Sequence, residues 1–168
     1  MLRILITTGL LLAAFSATAA EPAAHAADPD KVSRGRYVAL IGSCNDCHTN
    51  GFAPSGGKVP ESQWLTGSNL GFSGPWGTTY PSNLRTKIGA MDLATWKAYA
   101  RTLTTRPPMP YWALNEMSDA DLEALWSFVN SLGPAGEAVP AGLPPGQEPA
   151  GPVVRFPAPP PPESAGKP

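Results

Sequence analysis

The sequence predicts a small all-α domain of about three main helices joined by long loops. Three stretches combine a helix-capping residue with apolar residues at helical spacing. The stretch at residues 49–80 is rich in Gly and Ser and shows neither a helical period nor sustained alternation. We therefore expect an ordered loop there rather than a sheet. No internal repeat is visible, which indicates one domain.

The helices follow from their caps. Asp28 is the expected cap of the first helix, with Pro29 in its first turn, and this helix leads towards Cys44. Asp92 caps a second helix, and Ser118 opens an S-x-x-D capping box for the third. The third helix carries its apolar residues at helical spacing, namely Leu122, Leu125, Trp126, Val129 and Leu132, before Gly133.

Both ends of the chain are expected to lie outside the domain. Residues 1–20 place Arg3 before an apolar run and small residues, which is the organisation of a secretory signal peptide. The run is short for a bilayer span of about 20 residues, so cleavage is favoured over an uncleaved anchor. Residues 21–29 then form a flexible linker, residues 30–133 the domain, and residues 134–168 a Pro-rich tail that is disordered or extended. We expect a periplasmic or otherwise extracytoplasmic protein without a membrane span in its mature chain.

Composition excludes several classes of function. The chain has 12 Lys and Arg against 13 Asp and Glu, and no basic block stands anywhere in it. Binding to nucleic acid through phosphate neutralisation is therefore not expected. Its two Cys exclude a multi-disulfide scaffold and a four-thiolate iron–sulfur site within one chain.

The chemistry lies in the stretch C-x-x-C-H at residues 44–48. Two thiols three positions apart can each add to one haem vinyl group, while His48 places its imidazole on the iron, and this spacing is the attachment signature of c-type haem. The motif predicts one haem c bound covalently through Cys44 and Cys47, with His48 as the proximal iron ligand. A zinc site falls short of four ligands, since only His25 remains. A thioredoxin-like pair would need a preceding strand and a βαβ context.

The distal iron ligand is expected to be a thioether. Met91 and Met117 each precede a helix cap and fit hydrophobic staples. Met109 stands between Pro108 and Pro110, which stiffen the backbone in an extended form and exclude a helix interior. We favour Met109 as the distal iron ligand, the alternative being an ordinary core methionine beside the haem.

These motifs resemble class I c-type cytochromes over nearly all of residues 30–133. More narrowly, the stretches at residues 77–84, 108–111 and 118–122 are similar to the haem modules in cytochrome c subunits of bacterial membrane-bound dehydrogenases. Those subunits usually carry three modules, whereas this chain has one. The resemblance implies a cytochrome c-like fold wrapped around one covalent haem, with His48 and Met109 as axial ligands. It also implies that Gly35 and Tyr37 pack against the last helix, on Trp126.

An iron with both axial positions filled by protein has no open site for substrate. We therefore expect a mono-haem carrier of single electrons between a dehydrogenase donor and an oxidase or other cytochrome acceptor. We assign no catalytic residue and expect no enzyme activity of the chain itself, whether it acts alone or as a subunit of a larger oxidoreductase. The rival interpretation is a haem enzyme or small-ligand sensor with an open or labile distal position.

Several other side chains are expected to surround the haem. Five aromatic residues of the loops are expected to wall the pocket: Trp64, Phe72, Trp76, Tyr80 and Trp112. Tyr80, Asn83 and Arg85 are candidate partners of the propionates. Basic residues surround the second helix and acidic residues open the third. They form either separate docking faces or ordinary solvated helix faces.

Overall fold

The computed structural model describes residues 28–157. The predicted signal peptide, nearly all of the predicted linker and the last part of the predicted tail lie outside the described residues. Within them the protein is mostly helical, with a small three-stranded sheet. The helices are α1 (Pro29–Ile41), α2 (Cys44–His48), α3 (Leu84–Gly89), α4 (Leu93–Thr102), α5 (Tyr111–Asn115) and α6 (Asp119–Leu132). The strands are β1 (Gly71–Gly74), β2 (Gly77–Thr79) and β3 (Val153–Arg155).

The three predicted helices are confirmed as α1, α4 and α6, together with their caps. The side chains of Asp28, Asp92 and Ser118 each accept a hydrogen bond from a backbone N–H of the first turn. Helices α3 and α5 were not predicted because neither exceeds 6 residues, which is too short for a helical period to be recognised.

The sheet corrects the all-α prediction. Residues 49–80 contain β1 and β2, which pair antiparallel with Phe72 opposite Thr79. Strand β3 lies parallel to β1, with Phe72 opposite Val154. The expectation of a loop without sheet was wrong because strands of 3 or 4 residues offer too few positions for alternation to be recognised. The pairing with β3 also joins segments about 80 positions apart.

Helices α1 and α6 pack closely at Gly35. A Cβ atom on Gly35 would lie 1.9 Å from the carbonyl oxygen of Ala124, so any larger side chain would push the helices apart. The expected packing of Gly35 on the last helix is confirmed, although against Ala124 and Phe128 rather than Trp126. The Tyr37 ring is 50% exposed, with the Arg34 guanidinium 5.3 Å from its centre, and its expected contact with Trp126 stays a prediction.

The apolar core lies between α1, α4 and α6 and the loop that follows α2. Trp96 of α4 is buried in it, and its Nε1 donates to the Leu122 carbonyl of α6 at 2.8 Å. The largest buried side chains around it include Leu65, Ile88, Leu125, Phe128 and Val129. This frame fixes the positions from which the shorter elements surround the candidate site. No helix of residues 28–157 combines the length and apolar character needed to cross a bilayer.

Residues 134–157, the described part of the predicted tail, follow the surface of the loops. The Asn83 side chain donates to the Ala135 carbonyl at 2.7 Å, and Thr78 and Leu143 exchange two backbone hydrogen bonds of 3.0 and 2.9 Å. Strand β3 then completes the sheet. The tail was predicted to be disordered or extended, and its domain boundary at residue 133 stays a prediction.

Candidate functional site

The C-x-x-C-H stretch forms the short helix α2, set off from α1 by a turn. Helix α1 ends at Ile41 with Gly42 as its C-cap, and Ser43 adopts a left-handed φ of 53° before α2 begins. A left-handed conformation is uncommon for a residue with a side chain, and here it redirects the chain between two helices. As a result, Cys44, Cys47 and His48 all line one cavity.

This cavity has a volume of about 590 Å³, within the range of small-molecule and cofactor sites. Its walls come from α2, from residues 79–82 at the end of β2, and from residues 103–117, together with single side chains of other elements. Most of the wall is apolar, including Phe72, Trp96, Tyr99, Leu114 and Leu125. The cavity therefore suits a mainly hydrophobic molecule of cofactor size.

His48 is held in one orientation and one tautomer. It is 8% exposed, and its Nδ1 lies 2.7 Å from the carbonyl oxygen of Ser82. A carbonyl can only accept, so Nδ1 carries the proton and Nε2 keeps the lone pair that binds a metal. Burial lowers the pKa of His48 and outweighs the hydrogen bond to Ser82, which raises it. The imidazole is thus neutral, with Nε2 available to bind a metal.

The two thiols are not arranged as a reactive redox pair. Both cysteines are free. Burial raises the pKa of Cys44 to about 11, and burial likewise raises the pKa of Cys47. The thiolate is the form that attacks disulfides and binds zinc, and reactive C-x-x-C pairs lower the pKa instead. The described part of the chain has no group of three or more His, Cys, Asp or Glu placed to hold a metal ion, and His25 lies outside it.

Two thioethers reach the cavity. Met109 and Met117 both line it, whereas Met91 packs against the core and its carbonyl accepts from Trp126 Nε1 at 2.9 Å. The hydrophobic staple therefore explains only part of the position of Met117. Its Cε lies close to Gly42, where an added Cβ would be 3.6 Å away. Sequence reasoning missed this placement because it depends on how α5 folds back towards α2.

The residues present fit a haem. One wall offers a neutral imidazole with Nε2 available, and the same short helix offers two thiols. Two soft thioether sulfurs and an apolar lining complete the set, which matches the axial ligands and surroundings that haem iron uses in cytochromes c. The roles of Cys44, Cys47, His48 and Met109 stay predictions.

The aromatic wall differs from the expected one. Phe72 and Tyr80 line the cavity as predicted. Trp64 instead lies in the core, edge-on to Phe52, and Trp76 packs beside Phe156. Trp112 is 61% exposed. The remaining aromatic lining comes from Trp96 and Tyr99 of α4.

The expected partners of the propionates are mostly structural residues. Arg85 is 6% exposed and donates to the carbonyls of Ser62 and Gly133, at 2.8 and 2.5 Å, and of Leu132. It therefore satisfies the last carbonyls of α6, and its expected place was wrong. The Asn83 side chain caps α3, so it too does not serve the cavity. The cations that do line the cavity are Lys87 and Arg106.

The basic and acidic clusters do not form separate docking faces. Lys97 of α4 lies 3.8 Å from Asp119 and 3.5 Å from Glu123 of α6, and Arg101 lies 2.7 Å from Asp119. Opposite charges on the two helices thus face one another. The docking interpretation was wrong for these residues because sequence gives the charges of two helices but not how the helices face each other.

Curated relatives resemble the chain over most of its length. The fructose dehydrogenase cytochrome subunit of Gluconobacter japonicus is 30% identical over 136 residues, which are 74% of this chain and 26% of that protein. The cytochrome c subunit of a quinone alcohol dehydrogenase of Gluconobacter oxydans is 32% identical over 120 residues, 63% of this chain and 23% of that protein. One of the nicotinate dehydrogenase subunits of Pseudomonas putida is 32% identical over 120 residues, 66% of this chain and 9% of that protein.

The chain thus spans about a quarter or less of the length of these relatives. No family model matches it, and no solved structure matches it significantly. The predicted resemblance is confirmed: the chain is similar to a cytochrome c module of dehydrogenase cytochrome subunits.

Proposed function

We propose that this chain is an exported mono-haem c-type cytochrome with a cytochrome c-like fold that carries single electrons from a dehydrogenase to a downstream acceptor. Cys44 and Cys47 attach the haem, and His48 and Met109 are the axial ligands of its iron. The observation that carries the proposal is the placement of the C-x-x-C-H helix on the wall of an apolar cavity, with His48 oriented by Ser82.

The support for covalent attachment is the position of the two thiols. Helix α2 presents Cys44 and Cys47 to the same cavity, and His48 follows at once in the chain. A haem bound there supplies an iron centre that gains and loses one electron. The chain contributes the anchoring bonds and a fixed imidazole, whose Nδ1–H is already engaged by the Ser82 carbonyl.

Met109 is a better distal ligand than Met117. Two neighbouring prolines confine its backbone, so little conformational entropy is lost when the sulfur is held at one point. Met117 lies between α5 and the α6 cap, where its backbone N–H donates to the Leu114 carbonyl at 3.3 Å, and it is partly buried against the core. Packing against the core thus accounts for part of the position of Met117 without the iron, although Met117 also lines the cavity.

Electron transfer follows from closed coordination. With both axial positions filled by protein, no position on the iron is open to a substrate. The names of the relatives support a dehydrogenase as the donor, because two of them are cytochrome subunits of dehydrogenases. Export rests on the predicted signal peptide at residues 1–20, and sequencing the N-terminus of the mature protein tests it.

The first experiment is an absorption spectrum of the purified protein in both redox states, with the mass of the intact chain. We expect a low-spin c-type spectrum, a mass increased by one haem, and the weak far-red band of methionine bound to ferric iron. Replacing both Cys44 and Cys47 by Ala should leave no haem on the denatured chain. A haem that is extracted intact from the wild-type protein would contradict covalent attachment.

The matched pair Met109→Ala and Met117→Leu tests the distal ligand. The far-red band should disappear in Met109→Ala, and the reduced variant should bind carbon monoxide at once. Met117→Leu keeps a similar volume and should retain the band. Loss of the band only in Met117→Leu would move the ligand to Met117. Immediate carbon monoxide binding by the wild type would favour an open-site haem enzyme or sensor.

A further inference from the structure

The segment that carries Met109 has few backbone donors with which to hold itself in place. Residues 103–110 connect α4 to α5 without regular structure. Pro107, Pro108 and Pro110 lack a backbone N–H, so they cannot donate hydrogen bonds to the rest of the fold. Stiffness alone fixes the shape of this segment but not its position over the cavity. Its position must come from side chains.

The Arg106 guanidinium supplies the strongest of these contacts. Its Nη1 donates to the carbonyls of Trp76 and Leu143, at 2.9 and 2.8 Å, and its Nη2 donates to the carbonyl of Thr78 at 3.4 Å. One planar group with several donors can serve diverging carbonyls in this way, whereas an ammonium group on a flexible stem cannot reproduce the arrangement. Arg106 stands three positions before Met109 and lines the same cavity.

In a second contact with the same segment, the donor belongs to the strand instead of the segment. The Thr79 hydroxyl of β2 donates to the Pro107 carbonyl at 2.8 Å. Strand β2 therefore accepts a hydrogen bond from Arg106 and donates one to the Pro107 carbonyl. Both contacts fall within three residues of Met109 and on the same strand.

Leu143 of the Pro-rich tail closes this arrangement. Its carbonyl accepts from the Thr78 backbone N–H at 3.0 Å as well as from Arg106. The tail passes so close that a Cβ on Gly142 would lie 2.5 Å from Arg106 Nη2 and 3.1 Å from the Thr78 carbonyl oxygen. The glycine leaves room for the guanidinium between the tail and β2.

From this geometry we infer that Arg106 is a positioning residue for Met109, held by a clamp made of β2 and Gly142–Leu143 of the tail. The clamp fixes the thioether segment over the cavity and thereby keeps the sulfur on the iron. The inference rests on the proposed function, in which Met109 is the distal ligand. It also gives the tail a place in the site, because Leu143 anchors the residue that anchors Met109.

The test uses the full-length holoprotein and measures the rate at which the reduced form binds carbon monoxide, which requires that the thioether leaves the iron. We expect Arg106→Ala to raise this rate about tenfold. A tenfold change corresponds to about 1.4 kcal/mol, and a hydrogen bond to a charged group contributes about that much or more. The far-red band should weaken, with its loss on alkaline titration shifted to lower pH.

Arg155→Ala is the matched control, since Arg155 is an arginine of the tail that pairs with Glu148 at 2.6 Å and not with the carbonyls that Arg106 contacts. It should leave the carbon monoxide rate unchanged. Arg106→Lys keeps the charge but not the planar group, so it should raise the rate by less than Arg106→Ala. Thr79→Val removes one hydroxyl at nearly constant shape, and Gly142→Val crowds the guanidinium. Both should raise the rate, and both keep the inference testable if Arg106→Ala does not fold.

Two results would overturn the inference. The first is an unchanged carbon monoxide rate in Arg106→Ala, Thr79→Val and Gly142→Val while Met109→Ala loses the far-red band. The second is a changed redox midpoint in Arg106→Ala with an unchanged carbon monoxide rate, which would make Arg106 a charge partner of the haem. A far-red band retained in Met109→Ala would instead refute the proposed ligand, so the two failures are distinguishable.

Discussion

Replacing Gly35 by Ala should destabilise the protein although Ala is the better helix former. Gly35 lies within α1, where Ala is favoured over Gly by about 1 kcal/mol. Against this gain, the new Cβ would lie 1.9 Å from the Ala124 carbonyl oxygen and 2.7 Å from the Cβ of Phe128. Non-bonded carbon atoms prefer separations of roughly 3.5 Å or more, so α1 and α6 must move apart by about 1 Å or more.

The size of the effect follows from that clash. Overpacking a well-filled interior costs about 1–3 kcal/mol, and contact with a backbone carbonyl rather than a flexible side-chain end places Gly35→Ala at or above the upper limit. Subtracting the gain in helix propensity leaves a net loss of at least about 2 kcal/mol. For the predicted domain of residues 30–133 this lowers the melting temperature by roughly 8–16 °C.

The assay is thermal or urea unfolding of the holoprotein, followed by far-ultraviolet circular dichroism. Gly89→Ala is the matched control, because Gly89 also lies in a helix and its Cβ would meet only Asn130 Oδ1, at 3.8 Å. That variant should be as stable as the wild type or slightly more so. If Gly35→Ala were as stable as Gly89→Ala, the close approach of α1 and α6 at this point would be refuted.

Two further predictions concern charged side chains. Arg85→Met should lower the free energy of unfolding by about 3 kcal/mol, because three carbonyls lose a charged donor. Its redox midpoint should equal that of the wild type. Denaturant unfolding measures the first effect, and redox titration of the same variant measures the second. Acidification should destabilise the protein between roughly pH 5 and pH 3. Hydrogen bonds from Arg101, Arg34 and Lys31 lower the pKa values of Asp119, Asp121 and Glu123, respectively. A folded-state pKa below the unfolded one gives stability that is present at higher pH and lost as pH falls through the folded value. Unfolding midpoints across this range should fall less steeply in the double variant Asp121→Asn, Glu123→Gln, and an equal slope would contradict the assignment.

The parts of the fold that were predicted correctly are those determined by residues close together in the sequence. Capping residues and apolar spacing act within one or two turns, which is why Asp28, Asp92 and Ser118 located three helices correctly. Local sequence did not predict the sheet, because its strands are short and its third strand belongs to a stretch dominated by Pro and Gly. A pairing between β1 and β3 leaves no signature in either segment taken alone.

The candidate site divides in the same way. The C-x-x-C-H spacing is a local motif, and the Pro residues around Met109 are its immediate neighbours, so the sequence alone singled out residues that line the cavity. The carbonyl that orients His48 comes from Ser82, 34 positions away, and no sequence pattern links the two. Arg85 shows the converse error. A cation close to a predicted aromatic loop was assigned to the haem, but its guanidinium is required by the last carbonyls of α6.

The division between frame and cavity explains why both are needed for the proposed function. Helices α1, α4 and α6 share a core in which Trp96 donates to the Leu122 carbonyl, and this core meets the cavity at Trp96 and Leu125. The cavity walls come from α2, from residues 79–82 and from the Pro-rich segment before α5, which are joined mainly by single hydrogen bonds such as those of Ser82 and Thr79. A group bound in that cavity would therefore connect segments that the frame alone leaves weakly joined. In the proposed function, a haem held among these short elements would lie in a cavity that is partly open to solvent, where a partner protein could exchange an electron with it.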